Sequence, residues 1–184
     1  MVKSDLSSYN NDWYQPGSKL KRRVWYVTNL LFIKNRFNLS SSLKIAVLKL
    51  FGAKVGKGVV IKPGVNIKYP WKLKVGNHSW IGEDVWIDNL DEVIIEDHVC
   101  LSQGAMLLCG NHNYKKSTFD LMIGPIRLNA GSWVGAKSIV GPNVTLGEHS
   151  ILSLGSVATS NLDSGGIYRG NPATFIKKRV IEVG

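Results

Sequence analysis

Aliphatic residues recur at every sixth position over most of this chain, and no other feature narrows its fold so far. They stand at Val55, Ile61, Ile67 and Leu73, restart at Val75, Ile81, Ile87 and Val93, and restart again at Ile95, Leu101 and Leu107. After an interruption Leu128, Val134, Val140, Leu146, Leu152 and Ala158 resume the spacing. Four residues after most anchors comes a small or β-branched residue: Val59, Val65, Ser79, Val85, Val99, Ala105, Ser132, Ser138, Val144, Ser150 and Ser156. Two superimposed periods of six are the signature of a repeat architecture.

A short flat strand followed by a tight corner needs one inward aliphatic per face and a small side chain where the corner narrows. Three faces close a triangular coil, and coils stack about 4.8 Å apart by pairing backbone groups with the coils above and below. The predicted fold is all-β, a single-stranded parallel β-helix over residues 53–163. Gly56, Gly76, Gly82, Gly135, Gly141 and Gly147 are expected at corners that demand unusual backbone angles. Val55, Val75 and Ile95 are 20 residues apart but Leu128 and Leu146 are 18 apart, so the early coils carry a two-residue bulge, placed around Lys74 and Ile94. Residues 109–126 do not fit the repeat and form an inserted loop, and departures from a repeat are where function is usually housed.

Residues 1–52 read as an N-terminal extension with two short amphipathic helices. Apolar residues at Val24, Val27, Leu30 and Leu31, and at Leu43, Ala46, Val47 and Leu50, follow steps of three and four, with N-cap hydroxyls at Ser40–Ser42 and a stop at Gly52. These faces are expected to pack on the prism. The alternative is a membrane-surface contact, because Arg22, Arg23, Lys34 and Arg36 flank Trp25, Tyr26 and Phe32. Residues 164–184 form a C-terminal tail.

The net charge of +10 points to anionic partners. Nucleic acid is not expected, since only the stretch from Lys19 to Tyr26 interleaves cations with aromatics. Cys100 and Cys109 lie in apolar stretches and read as buried small hydrophobes, compatible with a reducing cytoplasm. No apolar run resembles a signal peptide or a membrane span. The protein is therefore expected to be cytoplasmic, with at most peripheral contact at the inner face of a membrane.

His112 opens the insertion in a polar setting, and a neutral imidazole there could act as a general base. His78, His98 and His149 each follow a coil's first anchor by three residues. His78 and His98 should stack on neighbouring coils, but no third ligand completes a zinc site, so no metal is expected.

Phe51-Gly52-Ala53-Lys54-Val55-Gly56, Tyr69-Pro70-Trp71, Ser79-Trp80-Ile81-Gly82, Val85-Trp86-Ile87, Leu101-Ser102-Gln103-Gly104-Ala105, Gly110-Asn111-His112-Asn113-Tyr114 and Gly170-Asn171-Pro172-Ala173 resemble the colanic-acid-biosynthesis type of acetyltransferase. That type sits within the hexapeptide-repeat acyltransferases that include galactoside and Nod-factor O-acetyltransferases. The resemblance covers nearly everything after Lys19. It implies left-handed winding, against the general right-handed crossover rule, and an acetyl-CoA-dependent O-acetyltransferase acting as a homotrimer with active sites between adjacent prisms.

By position, His112 matches the catalytic base and Asn89 an asparagine lining the active site. Trp133, Gly135, Ala136, Leu154 and Thr159 match positions along the pantetheine arm, and Asn171 and Pro172 the turn that closes over coenzyme A. Lys177 and Lys178, with Arg179, supply charge for its phosphates. A backbone N–H near Gly135 or Ala136 is the expected oxyanion donor. The chain departs from the family in having Thr174 where an arginine often follows the turn, and Asn113 where an aspartate commonly follows the histidine.

The implied acceptor is a hydroxyl of a sugar or saccharide precursor in polysaccharide biosynthesis. A small non-saccharide acceptor such as an antibiotic or serine is the alternative. A carbonic-anhydrase-like zinc protein would need a third histidine, and a scaffold would need regular outward ranks of residues, which the sequence lacks.

Overall fold

The computed structural model describes residues Lys3 to Glu182. From Lys54 onward the chain winds through three parallel faces. The first holds Lys54–Val55, Leu73–Val75, Val93–Ile95, Ile126–Leu128 and Thr145–Leu146. The second runs Val60–Ile61, Trp80–Ile81, Cys100–Leu101, Trp133–Val134, Ile151–Leu152 and Gly166–Gly170, and the third Asn66–Ile67, Trp86–Asp88, Met106–Leu108, Ile139–Val140 and Val157–Ala158. Pairing partners step by one coil, as in Ile61 with Ile81 and Ile81 with Leu101. Every anchor of the six-residue period is buried in one continuous core, each Val, Ile or Leu among them worth about 1.5–3 kcal/mol of apolar burial.

Serine fits the narrow corner by its small size, and at Ser79 and Ser138 the hydroxyl also joins adjacent coils, whereas those of Ser132 and Ser150 are buried without a partner. Ser79 Oγ donates to Glu96 O (2.7 Å) and accepts from Val99 N (3.1 Å), and Ser138 Oγ likewise bridges Ser153 O and Ser156 N.

The glycines directly after the anchors have a different cause from the one expected. None of Gly56, Gly76, Gly82, Gly135, Gly141 and Gly147 has positive φ. All but Gly141 are glycine because a Cβ would strike the next coil, 2.5 Å from Leu154 N at Gly135 and 2.5 Å from Ser164 N at Gly147, while at Gly141 the contact would be a tight 3.3 Å to Ala158 O. The left-handed residue comes two positions later, at Gly58, Gly64, His78, Asp84, His98, Gly104, Gly131, Lys137, Asn143, His149 and Gly155. This accounts for three of the histidines as corner residues, and the rings of His78 and His98 stack 5.4 Å apart.

Two other expectations shift. Lys74 and Ile94 lie mid-strand. The extra residues of the early coils sit just before them, in the 3-10 turn Pro70–Lys72 and in 89–92, at the corner between the third and first faces. The tail is not separate from the prism, since Gly166–Gly170 pairs in parallel with Ile151–Leu152 and Ala173–Lys178 then folds back antiparallel to it.

The helices α1 (Lys19–Thr28) and α2 (Ser41–Leu50) are present, joined through a π-helical turn at Asn29–Ile33. Their buried face is not the apolar one expected. Trp25, Asn29, Ile33, Lys44 and Leu48 face inward, whereas Val24, Val27, Leu30, Leu31, Leu43 and Leu50 are exposed. The reason is the open edge of the first coil, whose unpaired backbone groups need partners. Trp25 Nε1 donates to Ile67 O (2.9 Å), and Lys44 Nζ donates to Ile61 O (3.2 Å) and Lys62 O (3.0 Å). Ser41 Oγ bonds both Ile61 O and Ile61 N.

Candidate active site

The insertion is an antiparallel hairpin, Gly110–His112 paired with Leu121–Ile123. It leaves the prism at the corner between third and first faces, where the early coils are already widened. His112 is half-buried and its ring is fixed on one side by Phe119, whose plane lies 7° from it at 4.4 Å between centroids. Its Nδ1 lies 2.9 Å from Phe119 O. A carbonyl oxygen only accepts, so Nδ1 carries the proton and Nε2 is left with a free lone pair, the state a general base needs. The Asn113 side chain instead accepts from Lys115 N within the loop (3.1 Å).

His112 lines a cavity of about 550 Å³ together with Tyr9, Tyr14, Lys19, Arg22 and Tyr69. The N-terminal segment forms one wall. Asp5 N donates to Ser117 O (2.8 Å) on the hairpin loop, and the Tyr9 ring lies tilted against His112 at 5.7 Å between centroids. Tyr14 OH donates to Leu90 O (2.5 Å), and Trp71 Nε1 donates to Pro16 O (2.8 Å). Burial, followed by the neighbouring Tyr69, pushes the Tyr14 hydroxyl far above the usual tyrosine range, so it stays a proton donor.

Asn89 does not line this cavity. It is fully buried, and its amide brackets the backbone of Tyr69, Oδ1 accepting from Tyr69 N (2.9 Å) and Nδ2 donating to Tyr69 O (2.6 Å). It therefore positions Tyr69, which does line the cavity.

The coenzyme residues fall on a different edge of the prism. Trp133, Gly135, Ala136 and Leu154 lie along or after the second face, at its corner with the third. Trp133 Nε1 donates to Ser102 Oγ (2.8 Å) on the coil below. Thr159 sits instead on the His112 edge, following the third-face strand Val157–Ala158. The third face separates these two edges, and none of Trp133, Gly135, Ala136 or Leu154 lines the His112 cavity. Gly135 is removed as an oxyanion donor, because its N–H is bonded to Leu152 O (2.8 Å). Ala136 N–H has no backbone acceptor among the described residues.

The Asn171-Pro172 turn lies beside the Leu154 corner, with Gly170 N donating to Ser156 Oγ (3.0 Å). Lys177 and Lys178 do not cluster with it, since they pair with Ile167 and Gly166 at the far end of the same hairpin. The cation at the turn is Arg169, the cross-strand partner of Thr174. Arg169, Tyr9, Tyr14 and Phe119 are not singled out by the sequence pattern. The first could have been found from Thr174, because the strand that follows a tight turn pairs with the one before it and brings Arg169 opposite Thr174. The other three belong to no period.

No protein-family model matches the chain. Colanic acid biosynthesis acetyltransferase WcaF of Escherichia coli (strain K12) is 33% identical over 177 residues, covering 96% of this chain and 97% of that protein. Galactoside O-acetyltransferase of the same organism is 23% identical over 136 residues, covering 72% and 67%. The hexapeptide-repeat acetyltransferase VCA0836 of Vibrio cholerae, solved with acetyl coenzyme A, superposes with a TM-score of 0.80 at 18% identity, covering 94% of each chain. The near full-length match to WcaF, on a chain wound by the six-residue repeat, places it in the colanic-acid-biosynthesis family of hexapeptide-repeat acetyltransferases.

Proposed function

We propose that the protein transfers the acetyl group of acetyl-CoA to a hydroxyl of a sugar or saccharide precursor, with His112 as general base. The observation that carries this reading is the Nδ1–Phe119 bond, which leaves Nε2 ready to accept a proton. Nε2 takes the acceptor's hydroxyl proton as that oxygen attacks the thioester carbonyl. The tetrahedral oxyanion accepts from the Ala136 N–H, and its collapse expels the thiolate of coenzyme A. The imidazolium returns its proton to that sulfur, giving an acetyl ester, free CoA thiol and neutral His112. The wall of Tyr9, Tyr14 and Tyr69 offers flat faces and hydroxyls suited to a sugar ring. Arg169, beside the Asn171-Pro172 turn, is the cation placed for a coenzyme phosphate.

A homotrimer is part of the same proposal, and the split site supports an arrangement in which subunits complete one another. His112 and the Ala136–Leu154 corner occupy different edges of one prism, so they meet only if the His112 edge of one subunit faces the coenzyme edge of the next. Trp80, Trp133 and Leu154 are exposed in the single chain, as residues destined for such a cleft would be.

Contact with an anionic membrane surface is the second part of this reading. Leu20, Val24, Val27 and Leu31 make an exposed apolar stripe on and just beyond α1. Between Asp12 and Glu83 the sequence holds 14 Lys and Arg residues and no carboxylate side chain. That charge would repel a second copy of itself and attract acidic headgroups. No helix among the described residues is long and apolar enough to cross a membrane.

The test is an acceptor screen with acetyl-CoA, read by mass spectrometry for a gain of one acetyl group and by release of CoA thiol. His112→Ala should lose at least about a hundredfold in rate, and normal turnover in that variant would sink the assignment.

A further inference from the structure

Lys19, Arg22 and Lys68 line the same cavity as His112. Lys68 Nζ is neutralised by Asp88, 2.9 Å away. Arg22 and Lys19 make no ion pair among the described residues. Arg22 Nε is withdrawn from solvent and has no hydrogen-bond partner, an arrangement that is destabilising for a charged donor unless an acceptor arrives. The cavity's carboxylates do not serve it: Asp88 Oδ1 lies 2.9 Å from Lys68 Nζ and is itself buried without a hydrogen bond, and Asp12 accepts from Asn10 Nδ2 (3.1 Å).

The surroundings add to this positive potential. Lys19 and Arg22 lie in the first turn of α1, where unpaired backbone N–H groups favour an anion. Arg22 also lines a second cavity of about 330 Å³ containing Trp25, Tyr26 and Trp86. The two cavities share Arg22, Lys68, Tyr69 and Asp88. Arg22, with its unpartnered Nε, therefore stands where they meet.

We propose that this junction is an anion subsite for the acceptor, binding a carboxylate or phosphate carried on the saccharide whose hydroxyl reaches His112. The proposal rests on reading the His112 cavity as the acceptor site. Arg22 supplies a planar fork for two anionic oxygens and Lys19 a second charge. A neutral sugar offers Arg22 Nε only a hydroxyl oxygen, a weaker acceptor than a carboxylate or phosphate oxygen, so the subsite favours charged acceptors over neutral ones.

The experiment is calorimetric titration of the full chain, without acetyl-CoA, by methyl glucoside, methyl glucuronide, glucose 1-phosphate and inorganic phosphate. At least one charged sugar is expected to bind about tenfold or more tightly than the neutral glucoside. The glucuronide and phosphate arms distinguish the two sources of charge. Arg22→Gln should abolish that preference and Lys19→Gln should reduce it, with far-UV circular dichroism verifying that each variant is folded. Equal binding of charged and neutral sugars, absence of binding by every anion, or a preference that survives in folded Arg22→Gln would overturn the subsite. The same sugars are then offered with acetyl-CoA. Charge preference without acetylation of any hydroxyl would count against the acetyl-transfer reading alone, and acetylation without charge preference against the subsite alone.

Discussion

The carbonyl oxygen of Phe119 holds His112 Nδ1 at 2.9 Å while the Phe119 ring stacks on the imidazole. One residue thus sets both the tautomer and the plane of the proposed base, the part that an aspartate directly after the histidine would otherwise be free to take. Phe119 itself has a left-handed backbone, φ 51°, which turns its carbonyl and ring toward the same neighbour. Removing the ring leaves the carbonyl but frees the imidazole to rotate. Phe119→Ala should therefore lower kcat by about tenfold to a hundredfold with little change in KM for acetyl-CoA. Phe119→Tyr, which keeps the stack, should restore most of the rate. A KM effect without a kcat effect would mean that Phe119 serves only to hold the loop.

The division of the site between two edges of the prism predicts complementation. His112→Ala and Leu154→Arg should each be inactive, the second because a long cation blocks the corner proposed for the pantetheine arm. In a randomly mixed trimer, a site that takes His112 from one subunit and Leu154 from the next is intact with a probability of about one quarter. Co-expression of the two variants should restore about that fraction of wild-type activity, with light scattering verifying the trimer. Activity no higher than that of either parent would show that the site is completed within a single chain.

The exposed stripe on α1 predicts co-sedimentation with vesicles rich in anionic lipid, weakening as salt rises because surface charges are screened over about 10 Å at 0.1 M. Replacing Val24, Val27 and Leu31 together by serine touches no buried residue. The triple variant should stay in the supernatant at unchanged thermal stability. Equal sedimentation of both proteins, or none by either, would remove the membrane contact. A change in oligomeric mass instead would assign the stripe to a subunit interface.

The prism was legible because each coil repeats one packing requirement. An inward aliphatic at a fixed step leaves a period that survives changes of residue, from Val55 to Ala158. The helices were legible as helices but not in their orientation. Periodicity reports where apolar residues lie, whereas Trp25, Asn29 and Lys44 are buried for their hydrogen bonds to the first coil. The histidine proposed as the base was legible as a break in the count. The segment that walls its cavity was not, since Tyr9 and Tyr14 act through single contacts to Leu90 and His112 that follow no spacing.

Lys44 tests whether that edge capping stabilises the fold. It is fully buried, with Nζ shared between Ile61 O and Lys62 O, and burial holds its pKa below the ordinary lysine value of 10.5. Lys44→Ala removes both hydrogen bonds and leaves a cavity, so it should cost about 2–4 kcal/mol, or roughly 5–15 °C in melting temperature for a chain of this size. Lys44→Met keeps the volume and removes the charge, which separates packing from electrostatics. Because the native state binds this proton less tightly than the unfolded chain, wild-type stability should rise with pH from the lowered native pKa up to about 10.5. Below that window the burial penalty is fully present, and above it the penalty is gone. Melting temperatures of wild type and Lys44→Met between pH 7 and 10.5 should therefore diverge in favour of wild type as pH increases. A constant difference across that range would mean that Lys44 caps the edge without any cost from its charge.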